Sequence, residues 1–403
     1  MPFWLQILLL GCVGACVGGQ LNRAIYRWAI FHKRSISPWS APPENAPPRH
    51  WQDRIPLVGW CGLRREASLH GPGFWVRPLL IELFVAVGFP LQYWWEMNGG
   101  LIPPGFPHPS TSVLMASCAV HLLLFCLMFI GSFIDLDEKT IPDEVTVLGA
   151  LAGLILATLL PHAMLPNPLH GPPAIIRPLW LADSWPAWLH TSWGLAIGWS
   201  CFLGWLYAIV PKIWRTRGGL IKALRILVAS LRRYAVNWTT CIGLVVGCVS
   251  IAGIWWVGGL HWRALLTSLV GLAFGGGMIW AVRIIGTVAL RREAMGFGDV
   301  TLMAMVGAFV GWQPSVIIFF IAPLCGVFLA VGQWVTTGRK DIPYGPFLCF
   351  ATWLVIDGWT ELWYRGVMDV FRVLGPVVPW LLLFCLLLMH GMLTFWRLMT
   401  GPR

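Results

Sequence analysis

Two stretches of sequence decide the fold and the chemistry of this chain: SFIDLDEKTIPDE at 132–144 and AMGFGDVTLMAMVGAFVGW at 294–312. Each places an aspartate, Asp135 in the first and Asp299 in the second, at one end of an apolar segment. An ionisable side chain at a membrane boundary is costly, and it is a candidate functional residue by default. The membrane topology around these two residues is therefore the first question that the sequence raises.

The composition is that of a membrane protein, because apolar residues make up 57% of the 403 residues and charged residues only 11%. A soluble domain carries about 25% charged residues. Eleven apolar runs approach the roughly 20 residues that span a bilayer, and they lie near 4–26, 78–96, 113–134, 144–161, 192–211, 239–258, 264–290, 299–312, 314–336, 346–364 and 377–397. We therefore predict an all-α, polytopic transmembrane helical bundle of about 9–11 spans.

The net charge of +11 comes from basic clusters in a few loops, which lie within 27–77, 212–233, 291–292 and 339–340. This distribution follows the positive-inside rule and does not indicate a surface for nucleic acid. With eleven spans, an amino terminus outside the cell places all four clusters in the cytoplasm. The first run lacks a positively charged region before it, so we interpret it as a retained span rather than a cleaved signal peptide.

Composition and topology together divide the chain into six segments. They are a first span (1–28), a cytoplasmic loop rich in Pro and Arg (29–77), spans that include the first aspartate (78–160), inserted spans with a basic cytoplasmic segment (161–290), the Gly-x-Gly-Asp region (291–345) and the C-terminal spans (346–403). The basic stretch at 212–234 has helical periodicity. It fits either an amphipathic helix on the inner leaflet or a plain cytoplasmic loop.

The topology brings the two aspartates to the same side of the membrane. Asp135 ends a span that runs inward and Asp299 begins a span that runs outward, so both lie near the cytoplasmic surface. Two carboxylates a few ångströms apart cannot both ionise readily, and such a pair holds one proton. One carboxylate can then take a proton from water while the other donates to a peptide carbonyl. The pattern predicts an aspartyl protease, with the titration belonging to the pair.

The residues around the aspartates suit this chemistry to different degrees. Gly296 and Gly298 have no side chains, so a substrate strand could approach their backbone closely. A lone aspartate at the end of a span is more often a solvated cap, and Gly-x-Gly-Asp alone is a weak pattern. We interpret four other acidic residues as such caps: Asp137, Glu138, Asp143 and Glu144.

The motifs resemble those of the bacterial prepilin peptidases in sequence and in order. SFIDLDEKTIPD (132–143) is similar to the family pattern S-x-I-D-x-D-x-x-x-x-P-D, and 294–312 is similar to its G-M-G-x-G-D motif. The run Ile342-Pro343-Tyr344-Gly345-Pro346 resembles its I-P-F-G-P.

The resemblance implies that Asp135 and Asp299 are catalytic. It also implies that the substrates are precursors of type IV prepilins or type II secretion pseudopilins. Cleavage would take place on the cytoplasmic side of the bacterial cytoplasmic (inner) membrane, by a multi-pass protein held in the lipid bilayer.

A second resemblance covers the amino-terminal part, in GGQLNRAIYR (18–27), RIPLVGW (54–60) and VRPLLIEL (76–83). In the family this half is associated with N-methylation of the new pilin amino terminus by S-adenosylmethionine. The resemblance implies a methyltransferase region that includes Asn22, Arg27 and Glu82. Arg27 equally fits a positive-inside anchor, and Glu82 a buried partner for an arginine.

The chain departs from the family at two positions that bear on cofactors. Many members carry two C-x-x-C pairs in the first loop, whereas only Cys61 lies there in this chain. One thiol does not form a tetrahedral structural zinc site, so we expect no metal, and proteolysis itself needs no cofactor. The lysine that usually follows the second aspartate is Thr301.

Two other functions remain open at this point. Presenilin-like intramembrane proteases share Gly-x-Gly-Asp, but they pair it with Tyr-Asp rather than the Ile-Asp at 134–135. A non-catalytic or transporter-like relative would keep half-buried acids as coupling sites. Activity that persists when either aspartate becomes asparagine would support this last reading.

Overall fold

The computed structural model describes residues 2–29, 38, 42, 46–169, 171–209, 235–337 and 343–400. Three features named above lie wholly or largely outside the described residues. They are the basic segment 212–234, the basic cluster 339–340 and Ile342 of the third motif.

The described chain is built almost entirely of helices. In chain order they are α1 Phe3–Trp28, α2 Val58–Leu63, α3 Ala67–His70, α4 Val76–Met97, α5 Thr111–Glu138, α6 Asp143–Leu159, α7 Ser192–Ile209, α8 Ala235–Val257, α9 Gly259–Leu290, α10 Phe297–Val310, α11 Trp312–Thr337, α12 Gly345–Asp357, α13 Met368–Leu374 and α14 Val378–Thr400. A π-helical stretch, Thr360–Val367, joins α12 to α13. Every apolar run predicted from the sequence contains a helix, which confirms the all-α, polytopic class.

Six helical segments of the described part are long and apolar enough to cross a membrane: Phe3–Trp28, Val76–Met97, Thr111–Glu138, Ser192–Ile209, Gly259–Leu290 and Thr360–Met399. Two of the other predicted spans, at 299–312 and 346–364, correspond to short helices. α10 and α12 have 14 and 13 residues, or about 20 Å at 1.5 Å per residue. That length is below the roughly 30 Å of the hydrocarbon core, so apolarity alone overstates what these two helices span.

The short helix α10 lies at the centre of the bundle, and every residue from Asp299 to Val310 is buried. Close packing against α9 depends on glycines, since a Cβ on Gly307 would lie 2.1 Å from the carbonyl oxygen of Gly271. The hydroxyl of Ser268 donates to the carbonyl of Ala308. Asp299 therefore stands on the first turn of a helix that its neighbours enclose.

A short antiparallel hairpin covers the far ends of several helices. Its strands are β1, Pro166–Leu169, and β2, Ile175–Pro178. The indole N–H of Trp359 donates to the carbonyl of Pro166 at 2.7 Å, and that of Trp363 to Oδ1 of Asn167 at 3.1 Å. The loop between α6 and α7 thus packs on the bundle as a small structured cap.

Candidate active site

The structure brings the two predicted aspartates together at one end of the bundle. Asp135 lies in the last turn of α5 and is 4% exposed, and Asp299 lies in the first turn of α10 and is 7% exposed. The two carboxylates are close enough to interact electrostatically. Because they come from helices about 160 residues apart in sequence, only the packing of the bundle pairs them.

The turn after α5 holds the site in place. α5 ends at Lys139, which has a φ of 56° and whose N–H donates to the carbonyl of Asp135 at 2.8 Å. The next buried residue, Ile141, packs against two glycines of the other motifs. A Cβ on Gly298 would lie 3.0 Å from Cβ of Ile141, and one on Gly345 would lie 2.9 Å from its Cδ1. Ile141 thereby joins all three motifs.

Gly345 contributes a functional contact that the sequence analysis did not assign. Its backbone N–H donates to Oδ2 of Asp135 at 3.2 Å. A Cβ at this position would lie only 2.5 Å from the same oxygen, so the approach requires glycine. The motif at 342–346 indicated that this segment matters, but its spacing in the sequence does not predict which carboxylate its backbone contacts.

The two glycines of Gly-x-Gly-Asp have different surroundings. Gly296 is the exposed N-cap of α10, and a Cβ built on it would lie 3.8 Å from Oδ2 of Asp299. Gly298 is in close contact with Ile141 of this chain. The close approach at Gly298 is therefore internal, whereas the backbone at Gly296 faces open space beside the carboxylate. A substrate strand at Gly296 stays a prediction.

Other polar groups surround the pair. Cys349, on the second turn of α12, interacts electrostatically with both aspartates, and Tyr344 does so with Asp299. Burial, together with the charge of Asp299, raises the pKa of the Tyr344 hydroxyl above its usual value. Thr301 is buried and its hydroxyl donates to the carbonyl of Gly298 at 3.0 Å. The hydroxyl of Thr301 thus bonds to the first turn of its own helix, at the position where a lysine is usual in the family that the motifs resemble.

Asp137 is exposed at the end of α5, and it also forms an ion pair that we did not predict. Its carboxylate forms two bonds to the guanidinium of Arg77, at 2.9 and 2.8 Å. The same guanidinium lies over the ring of Phe133, 5.1 Å from its centroid. The pair fastens the start of α4 to the end of α5, next to Asp135. The sequence shows no local sign of it, because the two residues are 60 positions apart.

The structure joins two of the three candidate methyltransferase residues. The side-chain amide of Asn22 donates to the carbonyl of Pro78 at 2.9 Å and to Oε1 of Glu82 at 3.4 Å. Oε2 of Glu82 accepts from the N–H of Leu57 at 2.7 Å. Both side chains are buried. Arg27, at the end of α1, is exposed.

Ion pairs stabilise the loop between α1 and α4. The guanidinium of Arg49 forms two bonds, of 2.7 and 2.8 Å, to the fully buried carboxylate of Glu66. Arg65 forms an ion pair with the buried Asp53. Arg49 lowers the pKa of Glu66. Burial raises the pKa of Asp53, but bonds from Arg65 and the N–H of His50 outweigh it and leave that pKa below its usual value.

The described residues of this loop do not fit a zinc ion. Cys61 is the single cysteine of the loop and is exposed, and the described residues contain no group of three His, Cys, Asp or Glu side chains arranged to hold a metal. A structural zinc site needs four such ligands. Among the described residues, the ion pairs Arg49–Glu66 and Arg65–Asp53 link the parts of this loop to one another.

We expect the loop to lose structure in acid. A carboxylate whose pKa is lowered on folding stabilises the folded state above its unfolded pKa, and the effect disappears as the pH falls through the folded pKa. For Glu66 the loss lies below pH 4.5, so protease cleavage within 46–75 should rise there in isolated membranes. Glu66→Gln removes the charge that faces Arg49, and it should cost about 3 kcal/mol and make the loop cleavable at neutral pH.

A matched control is Glu361→Gln, which breaks an exposed ion pair with Arg365. Since exposed pairs contribute little, this variant should leave the loop resistant. Equal resistance of the Glu66 and Glu361 variants at neutral pH would contradict the role of the buried pair.

Part of the chain is similar to a known protein family. Residues 231–331 match the model of the type IV leader peptidase family. The matched segment contains Asp299 and begins within the spans that we predicted to be an insertion. No solved structure matches the chain.

Several curated proteins named "Prepilin leader peptidase/N-methyltransferase" are similar to part of the chain. The protein of Aeromonas hydrophila is 30% identical over 92 residues, which is 22% of this chain and 32% of that protein. The protein of Dichelobacter nodosus is 37% identical over 90 residues, 22% of this chain and 31% of that protein. The protein of Xanthomonas campestris pv. campestris is 29% identical over 169 residues, which is 35% of this chain and 56% of that protein. The chain thus spans about a third of the length of the first two.

Proposed function

We propose that this chain is a membrane-embedded aspartyl endopeptidase of the type IV leader peptidase family, to whose model residues 231–331 are similar. Its substrates are type IV prepilin-like or pseudopilin precursors, from which it removes the leader. The observation that carries the proposal is the pairing of two buried carboxylates, Asp135 and Asp299, from helices far apart in sequence. A backbone N–H from the third motif, at Gly345, is bonded to one of them.

The pair acts as one acid and one base. A water molecule between the carboxylates loses a proton to the ionised member, and its oxygen attacks the peptide carbonyl carbon. The protonated member donates to the carbonyl oxygen. When the C–N bond breaks, the amine nitrogen takes up a proton from one carboxyl, and a hydroxyl of the tetrahedral intermediate returns its proton to the other. The pair thereby regains its starting state of one acid and one carboxylate. The titration is shared, so the roles are not divided between the two residues.

The placement of the pair suits a substrate that is itself a membrane helix. Asp135 and Asp299 lie at helix ends, beside the Arg77–Asp137 ion pair and the charged loop. On the positive-inside rule this end faces the cytoplasm of a bacterial cell, with the protein in the inner membrane. The leader of the precursor would stay in the cytoplasm, and its apolar mature segment would remain in the bilayer.

Cleavage of a co-expressed prepilin-like precursor in isolated membranes tests the proposal. We expect loss of the leader, detected as the mass of the mature amino terminus, and an unchanged rate after treatment with EDTA. A precursor that keeps its leader beside abundant wild-type protein would contradict it. In that case a transporter-like role for the buried acids becomes the better account.

N-methylation of the new amino terminus is a second candidate activity. The relatives' printed names include it, and Oδ1 of Asn22 is buried with no partner among the described residues. That oxygen is an acceptor available for the amino group of S-adenosylmethionine, which supplies the methyl group when bound. Asn22 and Glu82 would hold it where α1 meets α4.

We expect Asn22→Ala to separate the two activities. The described hydrogen bonds of the Asn22 side chain go to α4 and not to the aspartate pair, so leader removal should fall less than about threefold while methylation falls at least tenfold. The mass of the mature amino terminus reports both, because a methyl group adds to the product only in the second reaction. Asn98→Ala, at the exposed far end of α4, is the matched control. If the Asn22→Ala protein still methylates its product fully, Asn22 is not part of the methyl-donor site.

A further inference from the structure

A second buried polar cluster contacts α5 at His121, 14 residues along the helix from Asp135. It consists of Gln92, Glu96, His121 and Asp357, and we call it the distal cluster. Nδ1 of His121 lies 2.9 Å from Oε1 of Glu96, and the amide of Gln92 donates to the same oxygen at 2.9 Å. Asp357, the last residue of α12, interacts electrostatically with Glu96 and His121. The cluster thereby joins three helices, α4, α5 and α12.

The distal cluster is costly to keep. Glu96 and His121 are 1% and 3% exposed, and one carboxylate oxygen on each of Glu96 and Asp357 is buried with no partner among the described residues. Ionisable groups buried within membrane helices destabilise the fold, so their presence there indicates a function. The proteolytic mechanism does not use them, since they lie near the other end of the bundle from the aspartate pair.

Three contacts show what the cluster holds. α12 runs antiparallel to α5, because its first residue, Gly345, contacts Asp135 and its last residue, Asp357, faces His121. Between them, the thiol of Cys349 donates to the carbonyl of Met128. The anchor points are 14 residues apart on α5 and 12 apart on α12, or about 21 and 18 Å along the helix axes. The short helix is thus fixed to the long one at both ends.

Two further hydrogen bonds hold the same end of α12. The indole of Trp95 donates to the carbonyl of Asp357 at 3.1 Å, and the hydroxyl of Thr360 donates to the carbonyl of Gly100 at 3.0 Å. Apolar packing tolerates sliding between helices, whereas directional polar contacts define one register. The far end of α12 therefore has a single defined position relative to α4 and α5.

We propose that the distal cluster positions the catalytic pair by setting where α12 lies along α5. Glu96, His121 and Asp357 are positioning residues in this account, which rests on the proposed proteolytic function. The cluster acts through α12, whose other end carries the N–H that bonds Asp135. A shift of α12 by an ångström at the cluster moves Gly345 by the same amount, because a 13-residue helix is rigid along its axis.

The first test is the cleavage rate per amount of accumulated protein. His121→Leu removes the ring nitrogen that contacts Oε1 of Glu96, and we expect cleavage to fall about tenfold or more through misplacement of the pair. Adding Glu96→Gln to that variant replaces the carboxyl group left without this contact by an amide and should restore most of the rate. The matched control is Tyr93→Phe, which breaks a 2.6 Å bond from Tyr93 on α4 to Gln6 on α1 without touching α12. It should cleave at close to the wild-type rate.

The second test needs no activity. Cys349 is buried beside the pair, so its alkylation by N-ethylmaleimide, read by peptide mass spectrometry, reports the position of α12. We expect His121→Leu to increase alkylation of Cys349 several-fold while that of Cys201, on α7, stays unchanged. A general loss of structure would increase both. Tyr93→Phe should change neither.

The outcomes separate this proposal from the proposed function. Wild-type alkylation of Cys349 in His121→Leu, or an equal rise at Cys201, overturns the positioning role whatever the protease assay gives. Local alkylation at Cys349 supports that role even if no precursor is cleaved, in which case only the proteolytic function fails.

Discussion

Replacing either aspartate of the pair, as Asp135→Asn or Asp299→Asn, should lower precursor cleavage by about a thousandfold. Asparagine keeps the size and most hydrogen bonds of each side chain, but it can neither take a proton from water nor share one with its partner. The loss should be similar for both variants, since one proton is held by two carboxylates. Leader removal in membranes, measured against protein abundance, provides the test.

The matched control is Asp369→Asn, an aspartate of α13 whose side chain is 85% exposed. We expect this variant to cleave at the wild-type rate, so that loss at the pair is not a general effect of removing a carboxylate. Cleavage by Asp135→Asn or Asp299→Asn at more than a tenth of the wild-type rate would exclude the aspartyl mechanism.

Gly345→Ala should be nearly as damaging, although it changes no ionisable group. The added methyl would lie 2.5 Å from Oδ2 of Asp135 and 2.9 Å from Cδ1 of Ile141, so one of them must move. Displacing Asp135, or breaking its 3.2 Å bond from the N–H of residue 345, misaligns the pair. We expect a loss of about a hundredfold, as a shift of about 1 Å can produce.

Gly277→Ala is the control for this substitution, because a Cβ on Gly277 of α9 meets nothing within 4 Å. It should keep the wild-type rate and abundance. Comparable rates for the two alanine variants, with both proteins accumulating, would show that the third motif does not act on Asp135.

The position of Asp135 and Asp299 at the same end of the bundle was predictable because it depends on span direction, which apolar runs and loop charge largely determine. The all-α class followed from the same runs. Contacts such as Gly345 to Asp135, or Arg77 to Asp137, were not predictable. They depend on the register between helices, and no local pattern specifies which residues face one another after packing.

The short helices were harder to predict for a different reason. α10 and α12 are as apolar as true spans, but their 14 and 13 residues end early. Gly311, at φ 87°, ends α10 immediately after Val310. Hydropathy along the sequence does not show this end, because the helix that follows is equally apolar. The distal cluster was missed because Glu96, His121 and Asp357 stand singly in apolar runs, with no spacing that points to a site.

Enclosure of α10 has a consequence for how a membrane-bound peptide reaches the pair. Since every side chain from Asp299 to Val310 is surrounded by protein, no flank of that helix is available to a helix arriving through the lipid. Among the described residues, the exposed backbone of Gly296 lies beside Asp299 at the end of α10. We therefore expect a peptide to reach the pair from the end of this helix rather than from its side.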